Sequence, residues 1–410
     1  MVVGAGLAGL AAGIRIAQGG ASVTVVAKGS GGLHLSPGTI DVLGYAPDRV
    51  EEPAEALAAF LADRPDHPYA RLAPEPLGEA LEWFRGLVAS LRYTGDPGRN
   101  MMLPTAVGAV RPTALAPASL AAGDLRGGGA RLAVVGVRSL KDFYPALLAE
   151  NLPRSDGGVE TRALEVDWSA RPGRADVAGP VHARGLDDPA ERRRLAGELR
   201  PQLEPGETVA MPALLGLARA VEAWDDLQEL LGAAVAEVPT VPPCVPGMRL
   251  QRALVEALKA AGGRLVLGVA AVGVEGAAGR VTAVRVEQAA RVRDLPADAV
   301  VLGTGGFASG GIELDSRGAL RETVAGLPVR GPGPDEAPLS PRHLDHQPLM
   351  RSGVAVDDRM RPVGEDGAPV WANLHAVGGL VAGAEPWREK SGEGICLAGA
   401  VAAASAIVEA

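Results

Sequence analysis

The chain begins Met1-Val2-Val3-Gly4-Ala5-Gly6-Leu7-Ala8-Gly9, a short strand that runs directly into a G-x-G-x-x-G turn. In a dinucleotide-binding unit the first glycine allows a tight turn, the second lets the backbone approach a pyrophosphate, and the third lets helix and strand pack closely. A helix beginning here points free N–H groups and its positive dipole end at the phosphates. Residues 11–17 are typical of a helix and residues 21–26 of a strand, which favours a bound nucleotide-type cofactor over a purely structural turn.

The second strand lacks the acidic residue that usually follows the glycines by about 20 positions and binds the ribose hydroxyls. Ala27 and Lys28 occupy these places. A ribose diol would therefore meet a methyl group or a cation, which weakens NAD binding and removes the usual anchor of the adenosine half of FAD. Two roles stay open for Lys28: contact with a cofactor phosphate, or a solvated position on the surface.

Composition and charge exclude several classes of partner. The 410 residues are 47% apolar, which is enough for two or three domains or for one large core with an insertion. The net charge is −9 and the only basic run is Arg192-Arg193-Arg194, so we expect no nucleic-acid partner.

The longest apolar runs, such as residues 397–408, are shorter than the roughly 20 residues that span a bilayer. Any membrane contact is expected through another subunit.

The compartment is predicted from the cysteines and the start of the chain. Cys244 and Cys396 are far apart and form no C-x-x-C, which fits a reducing cytoplasm. An iron–sulfur cluster needs about four cysteine ligands, so this chain cannot build one alone, and we expect no metal site. Met1 leads straight into the glycine turn, so we expect no signal peptide. The very short first strand indicates that a few residues precede it in the natural protein.

Two later glycine sites follow the first in the order expected of a flavoprotein. Residues 299–306 form a strand that ends in the turn Leu302-Gly303-Thr304-Gly305-Gly306, and residues 373–379 form a strand and a turn. A small-residue helix opens at Gly392-Glu393-Gly394. In flavoproteins with two dinucleotide-binding domains, such a helix aims its N-terminus at the N1/O2 edge of the flavin, where negative charge collects on reduction. The three sites together predict a flavin rather than NAD alone.

The loop after the second strand, residues 29–41 with the sequence GSGGLHLSPGTID, is rich in small residues and hydroxyls. Its backbone could lie against a flat ligand. We predict that this loop and the three glycine sites bind the cofactor through Gly4, Gly6, Leu7, Ala8, Gly9, Lys28, Gly32, Leu33, His34, Ser36, Gly38, Thr304, Gly305, Gly306, Gly378, Gly394 and Ile395.

The pattern of elements predicts an α/β fold. Residues 1–105 and 246–410 are expected to form a discontinuous Rossmann-like flavin domain of the two-dinucleotide-binding-domain type. Residues 106–245, with buried strands at 131–136 and 208–212, are expected to form an inserted α+β domain that caps the site or faces the substrate or a partner.

Several further blocks resemble the B subunit of the anaerobic glycerol-3-phosphate dehydrogenases, a family within the fumarate-reductase-like flavoproteins. They cover nearly the whole chain: HLSPGTID at 34–41, HPY at 67–69, MPALLGL at 211–217, PTVPP at 239–243, GMRLQ at 247–251, GFASGG at 306–311 and the tail after Gln347-Pro348. The loss of the ribose carboxylate at Ala27 also resembles this family. The sequence departs from the family at two places: Gly392-Glu393-Gly394 stands in place of a denser glycine run, and Gly378-Gly379 stands where the family more often has Gly followed by Ser or another small residue.

The resemblance implies a flavoprotein that holds FMN, whereas the fingerprint alone points to FAD. It implies oxidation of sn-glycerol 3-phosphate to dihydroxyacetone phosphate, with electrons passing to quinone and then to fumarate or nitrate. The implied partners are an FAD-bearing catalytic subunit and a membrane-associated iron–sulfur subunit. The chain would then be cytoplasmic and peripheral to the inner face of the cell membrane through a partner.

Four residues are candidates for catalysis or substrate binding. His34, with Ser36 and Asp41, could lie beside the flavin ring or brace the loop. Arg249 could bind the phosphate of the substrate or of the flavin, since its planar fork suits either, or it could form a structural ion pair. His343 and His346 could take the alcohol proton, unless the other flavin subunit carries that step.

Three other functions stay open. A stand-alone flavin dehydrogenase of the fumarate-reductase or ketosteroid type would need its own acid and base, which the inserted region could supply. An electron-transfer or assembly subunit would hold flavin without touching substrate. A plain NAD dehydrogenase explains neither late glycine site.

Replacing Ala27 with Glu is expected to shift flavin preference from FMN toward FAD. The carboxylate would restore acceptors for the ribose diol, and hydrogen bonds to charged groups contribute about 1.5–3 kcal/mol each. Without it, Lys28 and the first helix N-terminus suit the terminal phosphate dianion of FMN. Flavin fluorescence gives the dissociation constants of FAD and FMN for both proteins, and an unchanged ratio would contradict this account of Ala27.

Overall fold

The structure is a computed structural model that describes residues 1–156, 158–333 and 336–410. Its strands, in chain order, are β1 (Val2–Val3), β2 (Thr24–Ala27), β3 (Tyr93–Gly95), β4 (Met101–Pro104), β5 (Val110–Thr113), β6 (Leu115–Pro117), β7 (Arg131–Val137), β8 (Glu160–Val166), β9 (Thr208–Pro212), β10 (Val235–Val238), β11 (Arg264–Leu267), β12 (Ala270–Ala277), β13 (Arg280–Gln288), β14 (Arg291–Pro296), β15 (Val300–Leu302), β16 (Ile312–Leu314), β17 (Leu320–Glu322) and β18 (Leu374–Ala376).

The α-helices are α1 (Leu7–Gln18), α2 (Pro53–Ala62), α3 (Tyr69–Leu72), α4 (Glu75–Leu87), α5 (Ala118–Ala121), α6 (Pro145–Ser155), α7 (Gly179–Gly185), α8 (Pro189–Leu199), α9 (Ala220–Leu231), α10 (Val245–Ala260), α11 (Pro386–Glu389) and α12 (Gly392–Val408). Short 3₁₀ helices lie at Gly32–Leu35, Ala89–Leu91, Arg200–Gln202, Phe307–Ser309, Pro348–Arg351 and Gly378–Leu380. None of the described helices is long and apolar enough to cross a membrane.

The main sheet is parallel and has the strand order β11-β2-β1-β15-β18. The chain winds outward from β1 through β2 to β11, then returns to the other side of β1 for β15 and β18. In an open parallel sheet, ligands bind at the carboxyl ends of the strands where the winding direction reverses. This point lies between the turn after β1 and the turn after β15. The predicted α/β flavin-type fold is confirmed in this respect.

Small and branched apolar side chains explain how helices cover this sheet. α1 buries Leu7, Leu10 and Ile14 and packs against α10 and α12. α12 is built largely from Ala and Gly, and most of its side chains between Gly394 and Ala406 are buried. Because such short side chains let helix axes approach, α12 can lie against both α1 and α4. An antiparallel sheet, β12-β13-β14, connects β11 to β15.

The inserted region contains a second sheet whose architecture differs from the prediction. Its strands have the order β10-β9-β7-β8 and are all parallel. Helices α6, α7, α8 and α9 lie between successive strands, as parallel connections require. The expected α+β class was therefore wrong for this sheet, which is α/β. The predicted strands at 131–136 and 208–212 are β7 and β9, whereas the pattern analysis missed β8 and β10.

Two large groups of buried apolar side chains accompany the two sheets. The side chains of the first group lie within residues 2–115 and 250–404, and those of the second within residues 102–238. The hairpin of β4 and β5 crosses the expected boundary at 105/106, because Met101 pairs with Thr113 and Pro104 with Val110. The proposed division into domains therefore cuts through a hairpin turn at this end, and its bounds stay a prediction.

Candidate functional site

A cavity of about 730 Å³ opens at the carboxyl ends of the main-sheet strands. Its walls are the turn after β1, the segment after β2, the turns after β15 and β18, and the first turn of α12. These are the three glycine sites and the loop that the sequence singled out. The volume lies within the range of about 300–1,000 Å³ that is common for cofactor and ligand sites.

The three glycines of the first turn have different tasks. Gly4 has φ +109°, and an added Cβ would lie 2.2 Å from the carbonyl oxygen of Gly303. An added Cβ on Gly9 would lie 2.0 Å from the carbonyl oxygen of Gly4. At Gly6, by contrast, no heavy atom lies within 4 Å of that position. Gly4 and Gly9 therefore permit the packing of strand and helix, and Gly6 leaves open the space that a ligand phosphate would need.

Most of the predicted cofactor residues line this cavity: Gly4, Gly6, Leu7, Ala8, Lys28, Gly32, Leu33, Ser36, Thr304, Gly305, Gly306, Gly378 and Ile395. Four do not. Gly9 serves the packing just described, Gly38 lies against Pro246, and a Cβ on Gly394 would lie 2.2 Å from the hydroxyl of Tyr69. His34 is only partly buried in its 3₁₀ helix, and its carbonyl accepts a hydrogen bond from the Cys244 N–H at 2.8 Å. Its position matches the loop-bracing role.

Thr304 lies in the turn after β15 and lines the cavity wall, but its hydroxyl does not face the open space. Its Oγ1 is covered by protein atoms and has no hydrogen-bond partner among the described residues. A Cβ on Gly311 would lie 2.8 Å from this oxygen, so the hydroxyl packs against the backbone at Gly311.

The charges around the cavity are unevenly distributed. Among the described lining residues, Lys28 is the only Lys or Arg, and Glu393 is the only acid. Ala27 also lines the wall, so the end of β2 offers no carboxylate to a ribose. The opposite end is formed by the first turn of α12, where the positive end of the helix dipole meets the cavity.

Glu393 stands at this polar end and belongs to a cluster of charges. Burial and the nearby Asp41 carboxylate raise the pKa of Glu393 to about 7, while Arg111 and Lys390 oppose the shift. Asp41 itself forms an ion pair with Arg111 and accepts a hydrogen bond from Thr113. In the sequence Glu393 only interrupts a run of glycines, and its position as the single acid at the start of the C-terminal helix is the local sign of this role.

Arg249 is bound by protein partners. Its two terminal nitrogens donate to Glu237 at 2.6 and 2.9 Å, and its Nε donates to the Gly216 carbonyl at 2.8 Å. Both side chains are buried, and Arg249 is not on the cavity wall. This geometry matches the structural ion pair, and the phosphate-binding role stays a prediction.

The two candidate histidines lie outside the lining of this cavity. The Nδ1–H of His346 donates a hydrogen bond to the Glu385 carboxylate at 2.7 Å, and His346 lines a neighbouring cavity of about 300 Å³. His343 stacks on Trp387 with ring centroids 5.8 Å apart. The structure does not bring either imidazole to the wall formed by the glycine sites.

Cys396 lines the cavity beside Glu393, and burial raises the pKa of its thiol to about 12. The thiol therefore stays protonated at neutral pH, which fits a packing role. Cys244 is buried at the start of α10. Among the described residues, no group of three or more His, Cys, Asp or Glu side chains is arranged to hold a metal ion.

Comparisons with known proteins agree with this geometry. The family model described as "FAD binding domain" matches residues 1–395. The B subunit of the anaerobic glycerol-3-phosphate dehydrogenase of Yersinia pestis bv. Antiqua (strain Antiqua) is 31% identical over 420 residues, which cover 100% of this chain and 97% of that protein. A probable B subunit of the same enzyme from Halobacterium salinarum is 33% identical over 426 residues, with the same two coverages.

The chain belongs to this family of FAD-binding-domain flavoproteins. The predictions of a flavin cofactor and of the family resemblance are thereby confirmed. The 3-ketosteroid Δ1-dehydrogenase of Sterolibacterium denitrificans is similar over 100% of this chain and 98% of that one, with 13% identity and a TM-score of 0.45. A likeness this distant carries no argument about activity.

The residues present fit a flavin. The space beside Gly6 and the N-termini of α1 and α12 supply what a phosphate-bearing, redox-active ring system needs. Gly6 and the first turn of α1 would hold a phosphate, and α12 would favour negative charge on the ring.

Replacing Gly6 with Val is expected to empty the site without unfolding the chain. The new side chain meets no protein atom near its Cβ, so it would occupy the space of the ligand instead. The absorbance ratio of flavin to protein should fall at least tenfold, with the unfolding midpoint of the flavin-free chain unchanged. Gly78→Val, on the exposed surface of α4, is the matched control. Full flavin content in Gly6→Val would show that the phosphate lies elsewhere.

Replacing Glu393 with Gln is expected to stabilise the protein at high pH. An acid whose pKa is raised from 4.5 to about 7 in the folded state lowers stability as pH rises through this interval. Gln removes that cost, so the free energy of unfolding at pH 8 should increase by about 1–3 kcal/mol. The gain should shrink by more than half at pH 5. Urea unfolding followed by circular dichroism measures both, and Glu409→Gln at the exposed far end of α12 is the control.

Proposed function

We propose that this chain is the flavin-bearing B subunit of a quinone-linked anaerobic glycerol-3-phosphate dehydrogenase. The observation that carries the proposal is its full-length similarity, at 31–33% identity, to proteins that bear this subunit name. In the proposed reaction sn-glycerol 3-phosphate is oxidised to dihydroxyacetone phosphate. Electrons pass to quinone and then to fumarate or nitrate.

The proposed assembly includes a second, FAD-bearing subunit and a membrane-associated iron–sulfur subunit. The two cysteines of this chain are too few for an iron–sulfur cluster, which supports placing the clusters on a partner. The complex would sit on the cytoplasmic face of the membrane through that partner. The inserted region, residues 106–245, would face the substrate or a partner subunit.

A bound flavin would supply hydride acceptance and onward electron transfer. The first turn of α1 would hold its phosphate, and the N-terminus of α12 would favour negative charge on the ring. The thiol of Cys396 on the same cavity wall is neutral, because burial raises its pKa to about 12.

FAD and FMN both remain compatible with this site. The cavity reaches Ala27, Lys28 and Gly29 at the end of β2, which leaves room for an adenosine half. The missing carboxylate at Ala27 supports FMN instead. Release of the flavin from the purified chain and its identification by chromatography decides between the two.

The isolated chain is expected to pass electrons slowly to a quinone, and co-expression with the two partner subunits is expected to restore the transfer. The measurement is anaerobic reduction of a soluble quinone analogue with glycerol 3-phosphate as donor, with glycerol as the control that lacks a phosphate. Fast quinone reduction by the isolated chain would contradict the heteromeric assembly. Failure of the complete complex to react with glycerol 3-phosphate would contradict the substrate.

A further inference from the structure

Glu393 is the only acidic side chain among the described residues that line the flavin cavity. It sits in the first turn of α12, with Gly392, Ile395 and Cys396 of the same turn also on the cavity wall. The next residue, Gly394, donates its N–H to the Asp41 carbonyl at 3.0 Å, which fixes this turn against the loop that follows the second strand. The carboxylate is therefore held at a defined end of the cavity.

The neighbouring buried carboxylates all have side-chain partners. Asp41 is bound by Arg111 and Thr113. Glu389 is bound by Arg64, His67 and Ser391, with distances of 2.9–3.2 Å. Within the described part of the chain, Glu393 has no such partner and accepts only its own backbone N–H. A partly buried carboxylate without a partner is costly, so its free position facing a cavity points to a ligand group.

We propose that Glu393 is the catalytic residue that accepts the hydroxyl proton when the substrate alcohol is oxidised. The proposal rests on the proposed function, since it takes glycerol 3-phosphate, a secondary alcohol, as substrate. It replaces His346 in that role. The imidazole of His346 is hydrogen-bonded to Glu385, and it lines the neighbouring cavity instead of the one that holds the flavin.

Oxidation of the alcohol breaks one C–H bond and one O–H bond and forms the second C–O bond of the ketone. The carbon loses a hydride, with both electrons, to the bound flavin. The oxygen loses its proton to the Glu393 carboxylate, which becomes a carboxylic acid. That acid then releases the proton to solvent, so that atoms and charge balance over the turnover.

The charges that act on Glu393 suit a proton acceptor that works near neutral pH. The titratable groups around it are Asp41, Tyr69, Tyr93, Arg111, Lys390 and Cys396. Burial and Asp41 favour the protonated acid, whereas Arg111 and Lys390 favour the carboxylate, and the pKa comes to about 7. A general base is most effective when its pKa lies near the working pH, and such a base contributes about 10²–10⁴-fold to a rate.

The main test follows anaerobic flavin reduction by glycerol 3-phosphate in the isolated, flavin-loaded chain and in the complete complex, from pH 5.5 to pH 9. In the wild type the rate should rise with pH, with an inflection near 7, because only the carboxylate accepts a proton. Glu393→Gln should lower the rate at least about 100-fold and abolish the inflection. In Glu393→Asp the rate of flavin reduction should be lower than in the wild type but should show the same kind of inflection with pH. Glu409→Gln, the same change at the other end of α12, should behave as the wild type.

A second readout needs no substrate. The visible spectrum of the bound oxidised flavin should shift with pH as Glu393 ionises, with an apparent pKa near 7 in the wild type and in Glu409→Gln. The shift should be absent in Glu393→Gln. An identical titration in Glu393→Gln and the wild type would overturn the proposal.

The outcomes separate this proposal from the proposed function. If the complex reacts with glycerol 3-phosphate but the flavin of the isolated chain does not, the partner subunit oxidises the substrate and Glu393 is not the base. If the rate of flavin reduction in Glu393→Gln stays within about threefold of the wild-type rate and keeps its inflection with pH, the proposal is wrong and the proposed function is unaffected. If the inflection is lost in His346→Gln instead, the histidine is the base. If the wild-type complex does not react with glycerol 3-phosphate, both the proposed function and the role of Glu393 are wrong.

Discussion

The backbones of three glycines meet where the turn after β1 packs on the turn after β15. A Cβ on Gly4 would lie 2.2 Å from Gly303, one on Gly9 would lie 2.0 Å from Gly4, and one on Gly303 would lie 3.0 Å from Gly9. No side chain larger than hydrogen fits at these places. The contact lets β1 and β15 lie side by side where the winding of the sheet reverses, and the flavin cavity is the crevice that results.

A buried ion pair connects the second sheet to the first. Glu237 lies on β10, the last strand of the inserted sheet, and Arg249 lies on α10, which leads back to the main sheet. Ser119 and the N–H of Leu215 also donate to Glu237, so its oxygens are well satisfied. Removing one partner of such a pair costs about 3–5 kcal/mol, because the other charge stays buried. The pair thus holds the returning helix in place, and Arg249 lies outside the lining of the cavity.

The flavin cavity combines two environments with different tasks. The end near β2 has small side chains and a lysine, which suits phosphate and leaves a ribose without an acidic partner. The end near α12 has a helix N-terminus and a carboxylate whose charge is balanced against neighbouring acids and bases. Two parts of the cavity wall therefore offer a bound flavin different electrostatic environments.

The sequence alone predicted the first glycine turn and the α/β, Rossmann-like character of the main sheet correctly. These features depend on local backbone needs. Glycine is favoured where φ is positive, as at Gly4 and Gly305, and a side chain is excluded where backbones approach too closely for a Cβ, as at Gly9. The sequence did not predict strands β8 and β10, because their apolar patterns are short or interrupted. Their pairing with β7 and β9 defines them as strands, and a local pattern does not show that pairing. For the same reason the inserted sheet was expected to be α+β.

Only the tertiary structure decided what the charged residues do. The sequence leaves two roles open for Arg249, phosphate binding or an ion pair, and in the fold its terminal nitrogens bind Glu237, 12 positions away in sequence. The pKa of Glu393 depends on Asp41 and Arg111, which are distant in sequence but close to it in the fold. Charge interactions depend on distance and burial in space, and neither is encoded in a local motif. The sequence by itself therefore determined where a flavin-type site would form, and the packing determined which side chains are free to act in it.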